Sequence, residues 1–294
     1  MKIVNIIGGL GNQMFQGAFA IALLFRGEET KLDTSHFDGY GLHNGFELTN
    51  VFPNYPIGLA DKTDLKRVTR FIPNYRWSRI VRKVLPKLKT EFLQPYYRAY
   101  IFEPEVLGIK GDCYLEGYWM SPLYFKDCRD AIMHAYSFKP FETEQNMAYE
   151  RQLLADNSVT IHIRRGDYVG AESFKDICTL TYYRNAIVES KKVTENPVFY
   201  IFSNDQQWCM DNLKQEFGNS EVHFVTNNKG MESYRDMQLM TLARCNIVAN
   251  SSFSWWGAYL NKRTDHIVFC PNKWVNGMEH KDHYVDGWIK LDTK

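Results

Sequence analysis

Between residues 159 and 271 short apolar runs alternate with amphipathic stretches five times over, and few architectures accept that order. VTIHIRR (159–165), VFYIFSND (198–205), EVHFVTN (221–227), NIVANSS (246–252) and HIVFCP (266–271) read as strands. LTYYRNAIVESKK (180–192), DQQWCMDNLKQEF (205–217), MESYRDMQLMTLARC (231–245) and FSWWGAYLN (253–261) read as helices. Near-continuous apolar strands are what a sheet needs when helices cover both of its faces. The pattern predicts a parallel, doubly wound α/β domain, with ligands beyond the carboxyl ends of the strands.

The first half opens the same way, with KIVNII (2–7) as a strand, GGLG as a loop and NQMFQGAFAIALLF (12–25) as a helix. Residues 34–60, rich in Gly, Asn, Pro and aromatics, read as long loops; YLEGYW (114–119) reads as a strand and 122–138 as a helix. The polar stretch 140–158 is the expected boundary, giving two domains, 1–150 and 151–294.

Several function classes fall away on composition. Lys plus Arg (35) and Asp plus Glu (34) nearly cancel, which argues against a dedicated nucleic-acid binder. The six cysteines include no C-x-x-C pair, which argues against a zinc ribbon or redox couple and for reduced thiols in a cytosolic protein. No D-x-D pair and no His/Cys cluster is present, so no metal is expected. The apolar stretch at the N-terminus is too short for a signal peptide and no run of eighteen apolar residues occurs, so a cytoplasmic protein is expected. One segment is strongly polarised: residues 66–89 carry nine basic residues and no acid, with Phe71, Tyr75 and Trp77 interleaved. It reads either as a solvated basic helix face or as a surface for acidic lipid headgroups or a lipid-pyrophosphate carrier.

Three loops at strand ends carry the chemistry. In GGLGNQ (8–13), Gly9 and Gly11 allow close backbone approach before a helix N-terminus. It resembles the opening of a dinucleotide fingerprint, but Met14 replaces the third glycine and Asp33 only loosely matches the acidic position. In VTIHIRRGDYVG (159–170), strand alternation sends His162 and Arg164 to one face and Arg165 to the other. One arginine then faces an anion, and the other pairs with a carboxylate and stiffens the loop. In NSSFSWWG (250–257), Ser251 and Ser252 stand before a helix and read as a phosphate cradle or a plain N-cap; Trp255 and Trp256 read as core. Asp205 can accept from a guanine edge or cap the helix after it. Together the loops describe a diphosphate-nucleotide site between two α/β domains, its charge met by arginine and N–H groups.

GGLGNQMFQ (8–16), HIRRGDYV (162–169), FSND (202–205) and NSSFSWWG (250–257), in that order, resemble the α-1,2-fucosyltransferases of glycosyltransferase family 11, bacterial members included. The resemblance implies a GT-B architecture, two Rossmann-like domains facing each other across a cleft. It implies GDP-L-fucose as donor, no separate cofactor, no metal, inversion at the fucose carbon, and the 2-hydroxyl of a terminal galactose in a glycan as acceptor. It makes Arg164 the β-phosphate ligand, sets His162 and Asp205 on the guanine, and gives the diphosphate to Asn250, Ser251, Ser252 and the Phe253 amide. Gly9, Gly11 and Asn12 close over it. Peripheral contact with an inner membrane or a lipid-linked glycan fits such a role.

The acceptor hydroxyl must lose a proton, and a carboxylate is the natural base. Asp167 is preferred, although Arg165 stands close enough in sequence to lock it in a salt bridge; Glu172 is the alternative. Rival readings are another fucosyl or hexosyl linkage on the same scaffold, and a nicotinamide-dependent oxidoreductase built on the glycine loop.

Overall fold

The computed structural model describes residues 1–155 and 157–294. The chain divides into two compact units, Met1–Lys139 with Glu279–Tyr284, and Pro140–Met278 with Val285–Lys294.

The first unit holds β1 (Lys2–Asn5), α1 (Leu10–Phe25), β2 (Thr30–Asp33), α2 (Leu48–Val51), α3 (Lys62–Val68), α4 (Tyr75–Val84), β3 (Glu91–Leu93), β4 (Cys113–Glu116) and α5 (Arg129–Ala135). Its strands are all parallel in the order β2-β1-β4-β3. Helix α1 is buried along nearly its whole length, which its run of Ala, Leu, Ile and Phe predicts. Phe19 of α1 stacks on Trp119 at 4.3 Å, while Ile3 and Tyr114 pack with Leu65 and Val68 of α3. The returning segment adds His283, whose ring packs on Phe15 and Tyr100 and whose Nδ1 donates to the Met120 carbonyl oxygen at 2.5 Å.

The second unit holds α6 (Glu144–Ala155), β5 (Ser158–Ile163), α7 (Leu180–Val193), β6 (Val198–Ser203), α8 (Gln206–Leu213), β7 (Val222–Val225), α9 (Tyr234–Met240), β8 (Cys245–Ile247), α10 (Ser252–Tyr259), β9 (Ile267–Pro271) and β10 (Ile289–Leu291). The sheet is wholly parallel, β10-β9-β8-β5-β6-β7. Counted within the unit, this is the doubly wound order, and the winding reverses between β5 and β8. Alternation sorts the core. Val159, Ile161, Ile163, Phe199 and Ile201 meet α7 and α8 on one face. Tyr200, Phe202 and Val225 meet Leu153 of α6 and Leu239 and Met240 of α9 on the other. His162 therefore falls on the α9 and α10 side, and Trp255 and Trp256 are fully buried, as core residues.

A cut between 150 and 151 would fall inside α6, whose Leu153 belongs to the second core, so the division lies at 139/140. Within the stretch expected as a boundary, Asp156 lies outside the described residues. The single helix expected over 122–138 is broken into 3-10 turns at Pro122–Tyr124 and Lys126–Cys128 before α5. Proline at 122 lacks an amide, and Phe125 between the turns leaves helical geometry.

His283 is fully buried and its conjugate acid is pushed down to about 3 by loss of solvation. Unfolded, a histidine protonates near 6.5. Its burial therefore contributes full stability above about pH 6.5 and loses it as pH falls through that value. Replacing His283 with Gln should reduce the fall in unfolding free energy between pH 6.5 and 5 by about 1.4 kcal/mol per pH unit, measured by urea titration at each pH. Equal slopes in both proteins would contradict a buried neutral ring.

Candidate active site

Strands β5, β6 and β8 are neighbours and parallel, so the loops that leave their carboxyl ends emerge along one edge. These are the His162–Arg165, Asn204–Asp205 and Asn250–Phe253 loops, and the first and last flank the point where the winding reverses. Side-chain contacts join all three. The His162 and Phe253 rings lie 5.6 Å apart. Asn204 Oδ1 accepts from the Arg165 amide at 3.0 Å, and Arg165 Nε donates to Asp205 Oδ2 at 3.2 Å.

The loops are held from below by buried groups. Tyr183 and Tyr182 of α7 donate to the carbonyl oxygens of His162 (3.3 Å) and Val248 (2.6 Å), fixing the ends of β5 and β8. Asn250 is buried; its amide donates to Cys178 Sγ at 3.3 Å and its side chain to the Trp274 carbonyl oxygen at 3.2 Å. It therefore supports the serine loop from beneath. Ser251 caps α10, accepting from the Phe253 amide at 3.4 Å, while Ser252 and Phe253 are half-buried.

The two arginines divide their work. Strand β5 ends at Ile163, so alternation does not govern the side chains after it. Arg165 lies over the Trp208 ring at 4.1 Å and pairs with Asp205, as expected for the arginine that stiffens the loop. Arg164 lies over Tyr168 at 5.4 Å, and its Nη2 meets Asp167 at 2.8 Å. The partner of Asp167 is thus Arg164, not Arg165: the 3-10 turn at Gly166–Tyr168 brings residue 167 back over residue 164. Arg164 Nε and His162 Nδ1 are buried with no hydrogen-bond partner among the described residues. Burial, with Arg164 adding to it, pushes the His162 imidazolium down to about 3, so the ring is neutral.

Asp205 is committed locally. Oδ1 caps α8 by accepting from the Trp208 amide at 3.2 Å, and Oδ2 holds Arg165. Glu172 is exposed and pairs with Lys175 at 2.7 Å, while Asn276 holds the backbone of its loop.

Sequence reasoning passed over one carboxylate at this edge. Asp236 lies in the first turn of α9, the helix that follows the carboxyl end of β7. It joins an amide cluster at one end: Asn228 Nδ2 donates to Asp236 at 2.7 Å, and Asn146 and Asn227 bond to Asn228 in turn. Burial pushes its acid form up to about 7, against the Asn228 hydrogen bond. A buried carboxyl with a raised pKa at the carboxyl edge of a doubly wound sheet is a candidate functional position.

In the first unit, Gly9 is the N-cap of α1 at φ −73°, and Gly11 and Asn12 lie in its first turn. The left-handed residue is Gly8, at φ +93°, where a Cβ would come within 2.9 Å of Asn12 Nδ2. Gln13 and Gln16, also passed over, fix this loop. Gln13 bonds to Gly8 and Gly45 and accepts from the Glu47 amide; Gln16 bridges the Ile7 amide and the Gly117 carbonyl oxygen. Asp33, the acid of the weak dinucleotide match, accepts from Tyr114 Oη (2.7 Å) and the Ser35 amide (2.9 Å). Among the described residues no group of three or more His, Cys, Asp or Glu side chains has metal-binding geometry, and no helix is long and apolar enough to cross a membrane.

Residues 90–292 match the family described as Glycosyl transferase family 11. The Escherichia coli alpha-1,2-colitosyltransferase is 31% identical over 99% of this chain and 98% of its own length. Galactoside alpha-(1,2)-fucosyltransferase 1 of Leontocebus fuscicollis is 28% identical over 50% of this chain and 42% of its own. The crystal structure of NodZ alpha-1,6-fucosyltransferase soaked with GDP-fucose is similar over 88% of this chain and 91% of that one, with a TM-score of 0.52 at 15% identity. That likeness agrees with the two parallel α/β units in showing the GT-B class of fold.

Asp205 separates a cap from an ion pair. Asp205→Asn keeps a good N-cap and should change stability by less than about 1 kcal/mol, because the lost pair is half-exposed. Asp205→Ala should cost about 1 kcal/mol more. Urea unfolding of both variants measures the difference, and equal losses would remove the cap from the account.

Proposed function

The chain belongs to glycosyltransferase family 11, and from that premise we propose that it transfers L-fucose from GDP-L-fucose to the 2-hydroxyl of a terminal galactose in a glycan, with inversion and without a metal. The observation that carries the proposal is Arg164: a guanidinium at the reversal point of a doubly wound sheet, with Nε buried and without an acceptor among the described residues.

In this reading the diphosphate takes Arg164 Nε and lies over the start of α10, within reach of Ser251, Ser252 and the Phe253 amide. A helix N-terminus and a guanidinium both favour the charge that grows on the departing GDP. Asn250 acts from below, through the loop it supports. The bond from the fucose carbon to the β-phosphate oxygen breaks, the bond to the galactose oxygen forms on the opposite face, and the hydroxyl proton passes to a carboxylate. Asp167 fits that role. The incoming diphosphate competes with it for Arg164, and so releases a basic carboxylate beside the leaving group. Glu172 is the second candidate and is more exposed. In the first unit, Gly9, Gly11 and Asn12 remain candidates for phosphate contact.

His162 is neutral and presents an open ring nitrogen to the base. Two carboxylates compete to read guanine N–H groups. Asp205 is occupied by its helix and by Arg165, whereas the Asp236 carboxyl accepts from Asn228 alone among the described residues, which favours Asp236. Colitosyl transfer is a second reading, favoured by the name of the relative similar over almost the whole chain. A peripheral position at a membrane, or contact with a lipid-linked glycan, places such an enzyme where its acceptors are built.

Incubation with GDP-fucose and lactose, followed by linkage analysis, should give an α-1,2-fucosylated galactose. Transfer from GDP-colitose in strong preference to GDP-fucose would decide for the second reading, and stabilisation by NAD but not GDP would end both. Arg164→Ala should lower kcat roughly a thousandfold. Asp167→Asn should lower kcat more than Glu172→Gln; near-normal turnover in both removes the base from the mechanism. If Asp236 accepts from guanine as a carboxylate, the nucleotide must take it deprotonated. GDP affinity should then be full above about pH 7 and fall by up to about tenfold per unit below it. Calorimetry on Asp236→Asn should show a flatter pH dependence; an unchanged profile excludes Asp236 from the base site.

A further inference from the structure

Helix α4 turns the wrong face outward for a helix of a globular core. Trp77, Ile80 and Val84 are 62%, 51% and 76% exposed, and Leu85 just after the helix is 45% exposed. Trp77, Ile80 and Val84 follow helical spacing and form a single stripe. The side turned to the protein carries Ser78, which is buried, and Arg82, which pairs with Glu116 of β4. Exposed apolar stripes of this kind mark interaction sites.

The charge around the stripe has one sign. Arg76, Arg79 and Lys83 are exposed on the helix, and Lys87 and Lys89 follow it. Among the described residues, Arg76, Lys83, Lys87 and Lys89 form no ion pair, and from Lys66 to Lys89 there is no acidic residue to neutralise them. Beneath the helix lies a small depression lined by Arg70, Arg82 and Lys87 together with Ile72, Val81 and Leu85. Its one carboxylate, Glu91, is engaged by Thr69 Oγ1 at 2.5 Å and the Leu88 amide at 2.7 Å. Asn74 caps α4 by accepting from the Arg76 and Trp77 amides, which stabilises its first turn.

An apolar stripe with a Trp at one end, bordered by lysine and arginine, has the chemistry of a helix lying in the headgroup layer of a bilayer. We propose that α4 and the segment to Lys89 dock the protein on an anionic phospholipid surface. Trp77, Ile80 and Val84 enter the headgroup–acyl boundary, while Arg76, Lys83, Lys87 and Lys89 meet lipid phosphates, and the depression beside Arg70 and Lys87 accepts one headgroup. The inference deepens the peripheral placement proposed above and rests on it only for its biological sense, because docking needs neither donor nor acceptor sugar.

Co-sedimentation of the full chain with vesicles tests it. Vesicles with about a third phosphatidylglycerol in phosphatidylcholine should retain the protein, and phosphatidylcholine alone should not. Raised salt should weaken binding. Arg76→Glu with Lys83→Glu, and separately Trp77→Ala with Ile80→Ala, should each weaken binding about tenfold or more while leaving the melting temperature within a few degrees. Lysine-to-glutamate changes at Lys126 and Lys214, which belong to other elements of the chain, should leave it unchanged. No retention by the wild-type chain, or equal retention by the α4 variants, overturns the proposal. So does light scattering that shows a dimer dissociated by the same charge reversals, since the face then serves a second copy. Fucosyl transfer in detergent-free solution scores the functional reading apart from docking.

Discussion

Burial of strand β5 on both faces is the constraint from which the rest of the second unit follows. A central parallel strand has no wet side, so its residues from Ser158 to Ile163 are all buried. Polar groups with work to do are driven to its carboxyl end. Val159, Ile161 and Ile163 fill one core, Thr160 and His162 take the other side, and the arginines come only after the last paired residue. Because β8 and β6 lie on either side, the same edge collects a serine loop and an asparagine–aspartate loop without any further device.

That edge is rigid where it has to be. Tyrosine hydroxyls of α7 hold the strand ends, Asn250 and Cys178 hold the serine loop, and Arg165 is fixed between Trp208 and Asp205. Arg164 is the exception. One end of its guanidinium is tied to a half-exposed Asp167, and its buried Nε is donated to nothing among the described residues. A buried donor left unmade costs stability, and a ligand that accepted from it would remove that cost. The pair with Asp167 is a surface-like interaction and cheap to exchange.

Much of this was legible in the residues alone. The alternation from 159 to 271 determines the parallel sheet because buried strands and covering helices leave opposite periodicities. The three loops followed from where strands end. What escaped did so for physical reasons. Strands β2 and β3 span four and three residues, and β10 is a three-residue edge strand, IKL, with its first two side chains exposed, so none has a period to read. Asp236 looks like any acid in a first helical turn; its raised pKa comes from burial beside Asn228, whose own partner Asn146 is remote in sequence. Asp167 pairs with Arg164 and not Arg165 because the chain turns immediately after β5. In the glycine loop the left-handed backbone falls on Gly8, and Gly9 caps α1; GGLG carries no local signal that separates the two.

What Arg164 binds decides where the nucleotide sits. A crystal structure of the chain with GDP tests it most directly. The account predicts the diphosphate over the N-terminus of α10, bonded to Arg164 Nε, with the Arg164–Asp167 pair opened. A nucleotide seated away from the β5–β8 edge, with Arg164 still closed on Asp167, would contradict it.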